Sequence, residues 1–306
     1  MSRILDGKQV RDAILASLKP RIAALEEQFR PPGLAVVLVG ENPASEIYVR
    51  RKVKACQDLG IASEKHLPTA DISTEEMLFL VHSLNKRPDI DRILVQLPLP
   101  EHIDEKQVLL AIDSSKDIDG FHPYSVGALV ANAPGFRPCT PSGIMRLLEH
   151  YEIPVAGKRA VVVGRSDIVG KPMALLLLHA NATVTICHSK TRDLAAVCRE
   201  ADIVVGAIGR AGFLTPDFFN PNAVIVDVGI NRLRDRASVE RMFEGDGARL
   251  DEFDRKGTVL VGDVHPSAFK NCAAYTPVPG GVGPLTIAML MSNTVMSAEL
   301  SYGERA

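Results

Sequence analysis

A tyrosine, a lysine and a loop aspartate in the first half of the chain have types suited to proton-transfer chemistry. Tyr48 and Lys52 are four residues apart in a stretch with helical periodicity, so both project from one face of the predicted helix. Residues 116–121 read Lys-Asp-Ile-Asp-Gly-Phe and place Asp119 beside a glycine. Lysine and aspartate can both act in acid–base catalysis. Taken singly, however, a lysine among basic neighbours is usually part of a solvated face, and a loop aspartate is commonly a turn former.

A glycine-containing turn in the second half has features of a dinucleotide site. The apolar run 160–163 leads directly into Gly-Arg-Ser-Asp-Ile-Val-Gly at residues 164–170. Gly164 would supply a tight turn and Gly170 a close approach of strand and helix, so that backbone N–H groups meet a pyrophosphate at the helix N-terminus. The middle glycine of the usual G-x-G-x-x-G pattern is missing, so the motif alone is equally compatible with a plain strand-to-helix turn.

The residues after the next predicted strand indicate which dinucleotide would bind. In NAD sites an acid near the end of this strand accepts hydrogen bonds from the ribose. Here residues 188–192 read His-Ser-Lys-Thr-Arg, with hydroxyls and cations but no acid. Ser189, Lys190 and Arg192 could bind a 2′-phosphate that a carboxylate would repel, and Arg165 could reach the same place. These residues predict NADP rather than NAD.

Alternating strands and helices must position these groups. A β-branched run predicts a strand over residues 34–39, and helical periodicity predicts a helix over 45–59 that ends at Gly60. A further strand over 92–96 ends at Gln96, because the Leu-Pro-Leu-Pro that follows cannot donate to a sheet ladder. The alternation is typical of a mostly parallel sheet, and Gln96 lies where α/β folds place functional groups.

The alternation restarts near residue 154 with a pattern typical of a Rossmann-type domain. The predicted strands cover residues 159–163, 182–187, 203–207, 224–228 and 258–261. Between the last two lies the segment 232–256, in which 14 of 25 residues are charged. This composition favours a solvated helical insertion on the surface.

The bulk composition excludes several classes of protein. A chain of 306 residues, 46% hydrophobic and 24% charged, is globular and long enough for two domains. The net charge of −2 gives no electrostatic case for nucleic acid or an anionic membrane. Five dispersed cysteines without a C-x-x-C pair argue against zinc and disulfides and suit a reducing cytosol. We therefore expect a cytoplasmic protein without a signal peptide, membrane span or metal.

Taken together, the motifs resemble those of the bifunctional methylenetetrahydrofolate dehydrogenase/methenyltetrahydrofolate cyclohydrolase family of the bacterial FolD type. The matching segments occur in family order across nearly the whole chain. They are residues 48–52 (YVRRK), 95–100 (VQLPLP), 116–123 (KDIDGFHP), 138–143 (PCTPSG), 164–172 (GRSDIVGKP), 227–231 (DVGIN) and 276–284 (TPVPGGVGP).

The resemblance implies an α/β fold of two domains, an N-terminal α/β substrate domain and a C-terminal Rossmann-type NADP domain with the active-site cleft between them. It implies that residues 1–137, completed by the helix 284–306, bind folate, and that residues 138–283 bind NADP and carry the insertion 232–256. The implied activity is NADP-dependent oxidation of 5,10-methylenetetrahydrofolate to the methenyl form, followed by hydrolysis to 10-formyltetrahydrofolate. The implied partners are tetrahydrofolate derivatives and a second copy of the chain.

The resemblance also implies roles for individual residues. Lys52 is implied to be central to the chemistry, with Gln96 orienting it. Asp119 is implied to hold the pterin, and Tyr48 to pack on the folate ring system. Further substrate contacts are implied for Pro98, Pro279, Gly280 and Gly281. The implied NADP contacts are Gly164, Arg165, Ser166, Ser189 and Ile230.

Three features depart from the family pattern. Leu285 stands where methionine is usual, which is a near-isosteric exchange. Ser125 stands where asparagine is common, so the hydrogen bonding at that position is an open point. The segment 232–256 is longer than the usual connection and is a candidate to shield the cofactor cleft.

Two other functions fit parts of the pattern. A shikimate-type dehydrogenase combines a similar two-domain shape with a lysine–aspartate couple, but it does not explain residues 95–100 or the Pro-Gly-Gly-Val-Gly loop at 279–283. A non-catalytic NADP-binding regulator does not explain the joint presence of Lys52, Gln96 and Asp119.

Overall fold

The computed structural model describes residues 2–303, which form two compact units. One unit contains residues 12–139 and 287–303 and is called the three-stranded unit. The other contains residues 2–11 and 140–286 and is called the six-stranded unit. Within residues 2–303, every helix is too short or too polar to cross a membrane.

The secondary structure alternates between strands and helices for most of the chain. The strands are β1 Arg3–Ile4, β2 Gly33–Val37, β3 Ala62–His66, β4 Arg92–Val95, β5 Arg159–Val163, β6 Thr183–Cys187, β7 Ile203–Gly206, β8 Val224–Asp227, β9 Asn231–Leu233, β10 Val259–Val261 and β11 Ala274–Tyr275. The helices are α1 Gly7–Gln28, α2 Pro43–Leu59, α3 Thr74–Asn85, α4 Glu105–Ala111, α5 Pro123–Val130, α6 Cys139–His150, α7 Gly170–His179, α8 Leu194–Arg199, α9 Arg236–Met242, α10 Gly247–Lys256 and α11 Gly283–Gly303.

The three-stranded unit is built on a parallel sheet in the order β3-β2-β4. The central strand β2 is buried along its whole length because helices cover both faces. Side chains alternate along a strand, so Leu34 packs in the core that includes α11, whereas Ala35 packs in the core that includes α3. Because β2 and β4 are parallel, their carboxyl ends lie at the same edge of the sheet.

Helix α2 follows β2 and has clear sequence signals at both ends. It begins with Pro43, whose missing N–H needs no partner in the first turn. It stops before Gly60, which has a φ of 81° and so adopts the left-handed conformation that glycine tolerates. The predicted end of this helix is confirmed.

The six-stranded unit has a wholly parallel sheet in the order β1-β11-β8-β7-β5-β6. Four of the predicted strands form β5 to β8, which confirms the Rossmann-type pattern. The fifth prediction, residues 258–261, is wrong about the sheet: this segment forms β10 and pairs antiparallel with β9 in a separate ribbon. The main sheet contains β1 and β11 instead. Each has only two residues, too few for a periodic pattern to be recognised.

The charged insertion, residues 232–256, contains the end of β9 and the helices α9 and α10, and β10 follows it and pairs with β9. Val239 and Phe243 of the insertion are buried together with Val259 and Val261 of β10 in a small core. The prediction of a solvated helical segment was therefore only partly right, because the charges cover a ribbon and helices with a core of their own.

Candidate active site

The lysine and glutamine singled out in the sequence meet within the three-stranded unit. Lys52 lies on α2, one turn after the exposed Tyr48. Its Nζ donates a hydrogen bond of 3.1 Å to Oε1 of Gln96, which directly follows β4. The Gln96 Nε2 donates to the backbone carbonyl of Leu97 at 2.7 Å. This second bond fixes the orientation of the amide, so that its oxygen faces the lysine. Pro98 is exposed next to this group, after a cis peptide bond.

Asp119 lies in a loop that a neighbouring acid organises. The buried Asp117 accepts hydrogen bonds from the backbone N–H groups of Gly120 and His122, at 3.1 and 2.8 Å. The Ser125 hydroxyl also donates to Asp117, at 3.0 Å, so the serine has a partner at the position left open by the sequence. Asp117 thereby shapes the turn that presents Asp119.

Asp119 itself is only partly exposed, and its surroundings alter its protonation. Burial raises the pKa of the Asp119 carboxyl to about 6, although the positive charge of Lys52 acts in the opposite direction. The two groups are thus coupled electrostatically. A carboxylate with such a pKa changes its charge close to neutral pH.

Arg92 also supports the loop that carries Asp119, although no sequence motif pointed to it. Its side chain is fully buried, and its Nη1 donates to the backbone carbonyl of Asp117 at 2.8 Å. The guanidinium lies over the ring of Phe136, and burial lowers its pKa to about 9. The available signal was a charged residue at the start of an otherwise apolar strand.

The turn after β5 in the six-stranded unit requires glycine at both ends. Gly164 has a φ of 135°, and a Cβ at this position would lie 2.2 Å from the carbonyl oxygen of Ala207. A Cβ on Gly170 would lie 2.4 Å from the carbonyl oxygen of Gly164. Between them, the Ser166 hydroxyl accepts from the N–H groups of Val169 and Gly170, both at 3.2 Å, at the start of α7. The glycines therefore have the geometric role predicted for them.

This turn fits a phosphate-bearing dinucleotide. Arg165 and Ser166 are exposed at the N-terminus of α7, where the positive end of the helix dipole stabilises an anion. The N–H of Gly164 donates to the carbonyl of Cys187 at 2.9 Å, so the turn adjoins the end of β6. The exposed Ser189, Lys190 and Arg192 follow that strand end. Cationic and hydroxyl groups thus lie beside the turn, as a 2′-phosphate requires.

The remaining predicted residues of the six-stranded unit lie on or beside the loop after β11. Ile230 is exposed after β8, and its Cδ1 would lie 3.8 Å from a Cβ on Gly283. Pro279 is exposed, and Gly280 has a φ of 111°. A Cβ on Gly281 would lie 2.6 Å from the carbonyl oxygen of Pro277. Glycine is therefore required for the fold of this loop.

Two buried acids behind these turns were also missed. Asp263 accepts the backbone N–H groups of residues 208–210 and the Asn231 side-chain amide, at 2.6 to 3.0 Å. Asp227 accepts hydrogen bonds from the backbone N–H groups of residues 229, 263 and 264, at 2.9 to 3.0 Å. Together they hold the turns that follow β7 and β8. Asp227 could have been noticed as an acid ending an apolar strand.

Comparison with known proteins identifies the family. Residues 5–119 match the description "Tetrahydrofolate dehydrogenase/cyclohydrolase, catalytic domain", and residues 138–302 match "Tetrahydrofolate dehydrogenase/cyclohydrolase, NAD(P)-binding domain". The chain is 62% identical to the bifunctional protein FolD of Solibacter usitatus, over 99% of both chains. The chain belongs to the tetrahydrofolate dehydrogenase/cyclohydrolase family.

Solved structures of family members have the same fold. The bifunctional FolD enzyme of Campylobacter jejuni is 44% identical, with a TM-score of 0.89 over 98% of this chain and 99% of that chain. The Trypanosoma brucei dehydrogenase-cyclohydrolase, solved with NADP and an inhibitor, is 37% identical, with a TM-score of 0.87 over 98% of both chains.

Family membership confirms the predictions of the two-domain α/β fold, the bifunctional enzyme and the NADP cofactor. A shikimate-type dehydrogenase and a non-catalytic regulator are set aside.

Proposed function

We propose that the three-stranded unit performs the folate chemistry and that the six-stranded unit holds the NADP. The reaction is oxidation of 5,10-methylenetetrahydrofolate to the methenyl form and hydrolysis of this product to 10-formyltetrahydrofolate. When bound, NADP accepts the hydride that leaves the methylene carbon. The remaining carbon is cationic and therefore electrophilic, so attack by water needs proton handling more than further activation.

In this proposal, Lys52 carries the proton during hydrolysis. The water oxygen bonds to the methenyl carbon while one of its protons passes to the lysine amine, which is uncharged at this step, and from there to solvent. The bond from that carbon to N5 then breaks, and the second proton ends on N5. The hydrogen bond from Lys52 to Gln96 supports this role, because it holds the amine in one place while the substrate changes.

Substrate recognition is assigned to individual residues. The Asp119 carboxylate accepts paired N–H groups of the pterin, which requires its ionised form. Tyr48 packs on the ring system. The further substrate contacts are Pro98, Pro279, Gly280 and Gly281.

We assign NADP binding to the turn after β5 and to the ends of β6 and β8. The backbone around Gly164 and the N-terminus of α7 hold the pyrophosphate, with Arg165 and Ser166 beside them. Ser189 contacts the 2′-phosphate, and Ile230 offers an apolar surface to the nicotinamide end.

We further propose a cytoplasmic homodimer. Strand β6 is an edge strand of the sheet, and its Ile186 is 41% exposed. An exposed edge with apolar side chains is suited to pairing with a second copy of the same strand. The five cysteines are buried free thiols, which supports a reducing compartment.

The observation that carries the assignment is the Lys52–Gln96 hydrogen bond in the same unit as the electrostatically coupled Asp119. The test is incubation with methylenetetrahydrofolate and NADP while NADPH and the methenyl chromophore are followed. We expect NADPH to form with little methenyl product remaining, because hydrolysis consumes it. Accumulating methenyl product would restrict the enzyme to the dehydrogenase step, and absence of NADPH would overturn the function.

A further inference from the structure

The charged insertion makes a specific hydrogen bond to the loop assigned to folate. Arg249 lies on α10, and its Nη2 donates to the backbone carbonyl of Val278 at 2.8 Å. Val278 directly precedes Pro279 and Gly280. A guanidinium on the insertion is therefore bonded to the first part of the Pro-Gly-Gly segment.

The arginine is itself held in place by its own insertion. Its Nη1 donates to Oε2 of Glu252 at 3.0 Å, and its side chain is only 23% exposed. The guanidinium lies 4.9 Å from the ring centroid of Phe243, which is buried in the small core of the insertion. These two partners restrict the guanidinium, so its bond to the loop costs little additional side-chain entropy.

A second contact anchors the insertion on the turn that follows β7. Met242 of α9 packs against Gly212, where an added Cβ would lie 2.6 Å from the methionine Cε. Gly212 in turn donates its N–H to the carbonyl of Gly262 at 3.1 Å. The insertion therefore rests on the turn after β7 while Arg249 reaches the loop after β11.

The loop needs such support because of its composition. Residues 280, 281 and 283 are glycines, which lose the most conformational freedom on ordering. Within the loop, Gly281 donates its N–H to the carbonyl of Pro277 at 2.7 Å. The Arg249 bond ties the same loop to an element outside it.

We propose that Arg249 is a positioning residue that holds residues 278–281 ready for the folate, so that the insertion tunes substrate affinity rather than shielding the cofactor. This inference rests on the proposed assignment of Pro279, Gly280 and Gly281 to the substrate. A looser loop would have to be ordered by the substrate itself, which weakens binding.

The test compares Arg249→Met with Arg255→Met. Methionine keeps an aliphatic stem against Phe243 and removes the donors, whereas Arg255 is an exposed arginine on the same helix. We expect Arg249→Met to raise the KM for methylenetetrahydrofolate roughly threefold to tenfold, as for loss of one partly exposed charge-assisted bond. The KM for NADP should stay unchanged, and Arg255→Met should resemble the parent enzyme.

A measurement independent of turnover separates this inference from the proposed function. Amide hydrogen exchange of residues 278–283 should be faster in Arg249→Met and unchanged in Arg255→Met. An inactive parent enzyme would refute the function, while the exchange rates would still report the hold on the loop. Unchanged exchange, or faster exchange with an unchanged folate KM, would overturn the role of Arg249. Should Arg249→Met not fold, Arg249→Lys, which keeps the charge near Glu252 but loses the planar fork, must raise the folate KM instead.

Discussion

At the scale of single residues, the chemistry depends on how a few polar atoms are fixed. The Gln96 amide donates to Leu97, and its oxygen is thereby presented to Lys52. Asp117 accepts two hydrogen bonds from the loop that carries Asp119 and a third from Ser125 at the start of α5. Lys52 and Asp119 are thus held by neighbours that are not themselves assigned to the substrate.

Replacing the lysine tests its role in hydrolysis. We expect Lys52→Met to lower the cyclohydrolase rate about 100-fold or more, because acid–base assistance contributes at least that factor. The decay of methenyl absorbance measures this rate, and NADP binding should survive. Lys54→Met is the control, since Lys54 lies on the same helix but is exposed and paired with Asp58. An unimpaired hydrolysis rate in Lys52→Met would mean that the catalyst has been misassigned.

The titration of Asp119 predicts a pH dependence of substrate binding. Burial raises its pKa from 3.8 to about 6. The side chain is therefore mostly ionised, as needed to accept the pterin N–H groups, only above that pH. We expect the KM for folate to rise as the pH falls through about 6. In Asp119→Asn the KM should be high throughout and this inflection should vanish. A parent KM that stays flat across the same range would contradict the assignment.

At the scale of elements, the junction of β5 with α7 is determined by close backbone contacts. Gly164 and Gly170 lie where a Cβ would meet backbone oxygens at 2.2 and 2.4 Å. The exposed hydroxyl and cationic groups lie around this junction. The cofactor turn therefore leaves no room for larger residues at its two ends.

An alanine at the first glycine should disturb both stability and cofactor binding. Gly164→Ala combines a positive φ with a backbone clash, so we expect a loss of roughly 1–3 kcal/mol, a Tm several degrees lower and weaker NADP binding. Thermal melting and NADP titration measure these effects. Gly247→Ala is the control. Among residues 2–303, apart from its chain neighbours and the nearby backbone of its own helix, no heavy atom lies within 4 Å of a Cβ added there. Equal melting and NADP affinity in the two variants would contradict the role of the turn.

At the scale of the whole molecule, the exposed edge of the large sheet is the feature that bears on assembly. Strand β6 pairs only with β5 among the described strands, and Ile186 is exposed on it. Edge strands of this kind invite pairing unless charge or a covering element prevents it.

A charge placed on this edge should separate the proposed dimer. We expect Ile186→Glu to halve the mass found by sedimentation, because two like charges would face each other across a symmetric contact. Phe79→Glu, at a side chain 77% exposed on α3, is the control and should leave the mass unchanged. A parent protein that sediments as a monomer, or an Ile186→Glu variant that stays dimeric, would contradict the interface.

Local patterns in the sequence were sufficient to predict the strands β5 to β8, the end of α2 at Gly60 and the glycine turn with its neighbouring cations. These features depend on periodicity and on the backbone freedom of single residues. Both can be recognised from residues that are close together in the sequence. The family resemblance implied that Gln96 orients Lys52, 44 residues away, but the hydrogen bond itself was decided by the tertiary structure. No motif indicated that Arg249 bonds to Val278, 29 residues away. The tertiary structure also decided that β1 and β11 join the main sheet while β10 leaves it. Such pairings depend on which chain segments the fold brings together, and no local pattern specifies the partner of a hydrogen bond.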